Sequence, residues 1–148
     1  QVSKKIHDLR MKYGIPIGNV IYDADVLKRF VRGSTKTGHL KGAVAFNNNR
    51  KAYGRENYIN LKTQCYFKLA EYSDKNKIWI KDTSNSKQIL EELEQIKKQP
   101  NTDDDKIRLE RKSDLKKRFG RSPDFADMLM MRMITEVKTF VNIKVKWS

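Results

Sequence analysis

Apolar residues recur along this chain at two different intervals, and the change from one to the other marks its predicted elements. Val2 to Tyr13 sets Ile6, Leu9 and Tyr13 at helical spacing with Lys and Arg between them; Gly14 supplies the stop and Pro16 prevents continuation. Asn19-Val20-Ile21-Tyr22 and Gly42-Ala43-Val44-Ala45-Phe46 are short apolar runs that predict strands, the first leading directly into Asp23-Ala24-Asp25. A helix from about 25 to 32, with Leu27, Phe30 and Val31 on one face, would join these strands as parallel neighbours. Asp23 is placed at the strand end and Asp25 at the helix N-cap.

A long helix is predicted from Glu56 to about Tyr72. Tyr58, Leu61, Cys65 and Leu69 form its core-facing stripe, while Lys62 and Lys68 lie elsewhere on the helix, in solvent. Lys77 to Lys81 reads as a strand or extended segment. Ser86 to Lys97 reads as an amphipathic helix with Ile89, Leu90, Leu93 and Ile96 inward and Glu91, Glu92 and Glu94 outward. Pro100 to Asp105 is turn-like, and its acidic triplet lacks the ligand spacing of a calcium loop. Ile107 to Leu109 suggests a short strand, and Lys112 to Phe119 a helix ended by Gly120. Ser122 as N-cap and Pro123 at the first position would open a last helix from Asp124 to about Val137. Val141 to Trp147 alternates at period two, as an edge strand guarded by lysines would.

Charge changes this picture. The 148 residues carry 32 Lys+Arg against 18 Asp+Glu, a formal net +14 spread along the chain, so a single basic domain spanning 1–148 is expected. Polyanions are its natural partner, nucleic acid ahead of membrane, because no stretch is apolar enough to span or anchor. Cys65 is the only cysteine, which allows no disulfide and no cysteine cluster for zinc, as befits a reducing, cytoplasmic setting. His7 and His39 stand alone. No signal peptide is apparent, and the opening at Gln1 suggests a piece of a longer polypeptide.

The candidate chemistry sits at Asp124 and Asp127, three apart in the first turn of the last helix and therefore on one face. The helix dipole favours both carboxylates, yet they repel one another unless a cation lies between them. Just upstream come Lys112, Lys116, Lys117, Arg118 and Arg121, a basic strip suited to backbone phosphates. Paired carboxylates beside such a strip are what metal-assisted hydrolysis of a phosphodiester requires. Two blander readings stand beside this one: dipole-complementing aspartates and a solvated basic face.

Three groups of residues point further: Val20-Ile21-Tyr22-Asp23-Ala24-Asp25, the run Lys112 to Gly120, and Arg121-Ser122-Pro123-Asp124-Phe125-Ala126-Asp127. Together with the order of elements, they make residues 3 to 140 resemble the C-terminal nuclease domain of the phage terminase large subunit, a member of the RNase H-like superfamily. The resemblance implies an α/β fold with a mixed sheet flanked by helices, here a truncated version of the domain. It implies a two-metal Mg²⁺ or Mn²⁺ site in which Asp23 is the strand-four carboxylate and Asp124 and Asp127 the late-helix carboxylates. It further implies cutting of double-stranded DNA concatemers, with an upstream packaging ATPase domain, a terminase small subunit and a portal as partners. No first-strand Asp is found before Gly14, so the first strands would lie upstream of Gln1 and the fragment alone would cut little or not at all. The alternatives are a non-catalytic basic nucleic-acid-binding module derived from the same fold, and a small basic interaction domain whose aspartates only cap.

Overall fold

The computed structural model describes residues 2–26, 38–100 and 104–138. These fall into two compact units, 1–48 and 49–148.

In the first unit, helix α1 (Val2–Lys12) forms where the apolar spacing predicts it. Gly14, at φ +62°, turns the chain out of the helix, and Ile15 N–H closes on the carbonyl of Arg10 at 2.8 Å. The helix buries no residue fully, and Leu9 and Tyr13 are exposed. After a short 3-10 turn at Ile17–Asn19, strand β1 (Ile21–Asp23) pairs in parallel with strand β2 (Val44–Phe46), in the register Ile21↔Val44, Tyr22↔Ala45 and Asp23↔Phe46. The expected parallel pair is therefore present. Gly42 precedes β2 at φ +93°, and a Cβ there would stand 3.3 Å from the side chain of Ile17, so both backbone angle and space call for glycine. Among the described residues of this unit, Leu40, Phe46 and Ala24 are the buried apolar ones. His7 and His39 are not isolated from each other, since their rings lie 5.0 Å apart, tilted by 47°.

Residues 24–26 are helical, and the rest of the helix expected to 32, with Leu27, Phe30 and Val31, lies outside the described residues. The cap differs from expectation. Asp23 Oδ1 accepts the N–H of Asp25 (2.8 Å) and of Val26 (3.3 Å), which makes Asp23 itself the cap. Asp25 instead accepts from the backbone N–H (3.3 Å) and side-chain amide (2.9 Å) of Asn48. A carboxylate at a strand end is the first acceptor the following N–H groups meet, so it takes the role assigned to its neighbour.

The second unit is built around helix α2 (Leu61–Asp74). It starts five residues later than the apolar spacing suggests, because Asn60 Oδ1 accepts the N–H and hydroxyl of Thr63, each at 2.9 Å, and caps the helix there. Tyr58 consequently lies outside it and bridges Ile107 in parallel. From Leu61 onward the predicted stripe holds: Leu61, Cys65 and Leu69 are all buried. Burial pushes the Cys65 thiol up to about 12, which leaves it an inert part of the core. Among the described residues, the extended segment 77–81 joins no ladder and leaves Trp79 exposed, and Ile107 and Leu109 make only isolated bridges, the latter to Lys98.

Helices α3 (Ser86–Gln95) and α2 both pack on helix α5 (Asp124–Arg132). Helix α4 (Lys112–Phe119) ends at Gly120, in the left-handed region at φ +81°, as the sequence predicts. Ala126 and Met130 of α5 are buried, followed by Met133, Ile134 and Val137. The face of α3 is turned relative to expectation: Leu90 is 60% exposed, whereas Glu92 is 0% exposed. No helix among the described residues is long and apolar enough to cross a membrane. The expected edge strand from Val141 to Trp147 lies outside the described residues.

Candidate functional site

The start of α5 decides where its two carboxylates go. Its cap position is occupied by Pro123, at φ −85° and ψ 67°, and not by Ser122, so no local side chain serves the orphan N–H groups of the first turn. Those donors are met from another helix. Glu92 Oε2 accepts the N–H of Phe125 at 2.7 Å and of Ala126 at 3.0 Å. Its other oxygen accepts from Arg121 and from Gln88, each at 3.1 Å. A glutamate is rarely fully buried unless every lone pair is used, and here the helix terminus, a guanidinium and an amide use them. Glu92 thereby fixes the helix end from which Asp124 and Asp127 project.

The two aspartates differ sharply. Asp124 is exposed and has no partner among the described residues. Asp127 Oδ1 takes an ion pair from Lys62 Nζ at 2.8 Å and a hydrogen bond from the Tyr66 hydroxyl at 2.6 Å. Lys62 and Tyr66 are one turn apart on α2 and reach the same oxygen. Burial raises the Tyr66 phenol, and the charge of Asp127 and the hydrogen bond to it push further in the same direction, so Tyr66 stays a donor. Lys62 is thus not the solvated residue that its position off the apolar stripe implies. Asp127 thus already has a cation beside it, and it is an ammonium.

The basic strip also divides. Lys112, Lys116 and Lys117 are exposed. Arg118 is committed within the unit, to Glu110, to the side chain of Gln95 and to the Gln95 carbonyl at 2.8 Å. Arg121 lies 4.7 Å over the Phe119 ring and pairs with Glu92 and, at 3.7 Å, with Glu91. Both arginines hold the frame of the site.

Asp23 belongs to the first unit, where its Oδ1 caps the following residues; Asp124 and Asp127 belong to the second. Among the described residues, no group of three or more His, Cys, Asp or Glu side chains is placed to hold a metal ion. The donors present still suit a hard divalent cation in kind: carboxylate oxygens, one of them exposed and one already neutralised by a cation.

Glu92, Lys62 and Tyr66 are the residues that sequence reasoning missed. A signal existed for each. Glu92 lies three positions beyond Ile89 and four before Ile96, inside the apolar stripe, and Lys62 and Tyr66 share one face of α2.

No family model matches the sequence, and no curated protein is significantly similar to it. Solved structures are. The nuclease domain of the large terminase subunit gp2 of bacterial virus Sf6 has 18% sequence identity and a TM-score of 0.63, covering 88% of this chain and 70% of that one. A point mutant of that domain with manganese gives 18% identity and a TM-score of 0.64, over 88% and 71% of the two chains. The same mutant with calcium gives 19% and 0.62, over 88% and 70%. The mixed α/β chain described here thus has the fold of terminase large-subunit nuclease domains.

Proposed function

We propose that this chain is a metal-dependent endonuclease domain of a viral DNA-packaging terminase large subunit, of RNase H-like architecture and acting on double-stranded DNA concatemers in the host cytoplasm. The observation that carries this is the likeness to terminase nuclease domains over 88% of the chain. Asp23, Asp124 and Asp127 would hold Mg²⁺ or Mn²⁺. A divalent ion held there supplies Lewis-acid stabilisation for the charge that builds on a phosphodiester undergoing hydrolysis. The chain's own residues do the rest. Glu92 locks the helix start, Tyr66 orients Asp127 through its hydroxyl, and Asp124 offers an open carboxylate. An upstream packaging ATPase domain, a terminase small subunit and a portal are the partners this role entails.

A second reading, a non-catalytic basic module of the same fold, is favoured by the lysine already paired with Asp127. Incubation of supercoiled plasmid with excess protein and Mn²⁺ separates the two. Slow nicking that requires Mn²⁺ supports the nuclease. Duplex binding without nicking at any Mn²⁺ concentration supports the module.

Both readings need a DNA-binding surface, and the exposed lysines define it. Replacing Lys112, Lys116 and Lys117 together by Ala is expected to reduce the slope of log affinity against log salt by roughly 2 to 3, about one for each phosphate that is no longer neutralised. Arg118 is left in place because its bonds are internal. An unchanged slope in a filter-binding or anisotropy titration would put the DNA on another face.

A further inference from the structure

We propose that Lys62 is a built-in counter-ion of Asp127, neutralising that carboxylate in the metal-free protein and withdrawing before it can ligate a divalent ion. The inference rests on the reading of Asp124 and Asp127 as metal-binding residues, and adds to it how the site is held when no metal is bound.

Two partners meet on one oxygen of Asp127: Lys62 Nζ at 2.8 Å and the Tyr66 hydroxyl at 2.6 Å. They are not equivalent. Tyr66 is buried, its ring is fixed in the α2 face that packs on α5, and a neutral phenol can keep donating to a carboxylate that also binds a metal. Lys62 is a full positive charge on a flexible four-carbon stem, with 26% of its side chain exposed and its ammonium 5.8 Å from the Tyr66 ring centroid. An ammonium and a divalent ion on one carboxylate repel each other, so the movable cation is the one that leaves.

Without Lys62, Asp124 and Asp127 would place two negative charges in one helical turn, close to the buried carboxylate of Glu92. With it, Asp127 is neutralised and Asp124 alone is open. A divalent ion would therefore meet Asp124 first and compete with Lys62 for Asp127. A lysine serving only to orient Asp127 as a ligand leads to the opposite expectation.

The sign of one measurement decides between them. Mn²⁺ affinity is read from the electron paramagnetic resonance signal of free Mn²⁺ for the unaltered protein, Lys62→Ala, Lys62→Gln and Asp124→Asn, with circular dichroism confirming the fold of each. Lys62→Gln keeps part of the stem and an amide N–H donor beside Tyr66 while removing the charge. Both Lys62 variants are expected to bind Mn²⁺ about five-fold more tightly, the scale of a partly exposed ion pair removed from competition. Unchanged or weaker binding in Lys62→Gln overturns the proposal. If that result comes with binding that still depends on Asp124, the metal site stands and only the role of Lys62 falls. If no protein binds Mn²⁺, or binding survives Asp124→Asn, the metal reading falls and this inference falls with it.

Discussion

Glu92→Ala is expected to destabilise the second unit by about 3 kcal/mol and to lower its melting temperature by roughly 10 °C, a large effect for a residue in a run of glutamates. The loss has three parts. The N–H groups of Phe125 and Ala126 lose a charged acceptor, and Ala126 is fully buried, so water cannot replace it there. Arg121 loses its nearer carboxylate, a modest effect because its side chain is 41% exposed. The removed side chain also leaves a gap between α3 and α5. Glu92→Gln should fall in between, since one amide oxygen must serve where two carboxylate oxygens served. Ser122→Ala should change stability by less than about 0.5 kcal/mol, because the cap position belongs to Pro123. Thermal and urea denaturation followed by circular dichroism check the series. Glu92→Ala within about 0.5 kcal/mol of the unaltered protein, or a large loss in Ser122→Ala, would return the cap to the local sequence.

Asp124→Asn and Asp127→Asn should part company in stability while agreeing in activity. Asp124 is exposed and unpartnered among the described residues, so its neutralisation costs the fold little. Asp127→Asn removes the charge facing Lys62 and weakens the bond from Tyr66, a cost of about 1 kcal/mol after allowing for the 26% exposure of both ion-pair partners. On the proposed reading, each loses Mn²⁺-dependent nicking by on the order of a hundredfold or more, at least what is typical of groups one layer further from a metal. Plasmid nicking alongside denaturation curves separates the effects. Loss of stability without loss of nicking in Asp127→Asn would make Asp127 a purely structural partner of α2.

Much of this arrangement is legible in the residues. Gly120 stops α4 where a left-handed residue is needed, and the four-residue stripe Leu61-Cys65-Leu69 marks the buried side of α2. The two short apolar runs that become β1 and β2 pair in parallel, in the arrangement expected of them. What escapes is decided by tertiary packing. Apolar spacing extends the α2 reading back to Glu56, yet Asn60 claims the helix start through its own side chain. A serine before a proline is a good local cap, yet the donors it would serve are taken by a glutamate more than thirty residues earlier. Glu92 reads as solvated because its neighbours Glu91 and Glu94 are charged alike, and only its phase with Ile89 and Ile96 points inward. Lys62 is obscured in the same way, since its partner lies on another helix.

Whether α5 opens a metal site is settled by anomalous scattering from crystals grown or soaked with Mn²⁺. The expected result is a peak bound by the carboxylates of Asp124 and Asp127, with Lys62 Nζ moved off Asp127. A Mn²⁺ peak bound elsewhere, or none while Lys62 still holds Asp127 at saturating Mn²⁺, would contradict the proposed site and leave a basic DNA-binding module with the fold of a nuclease.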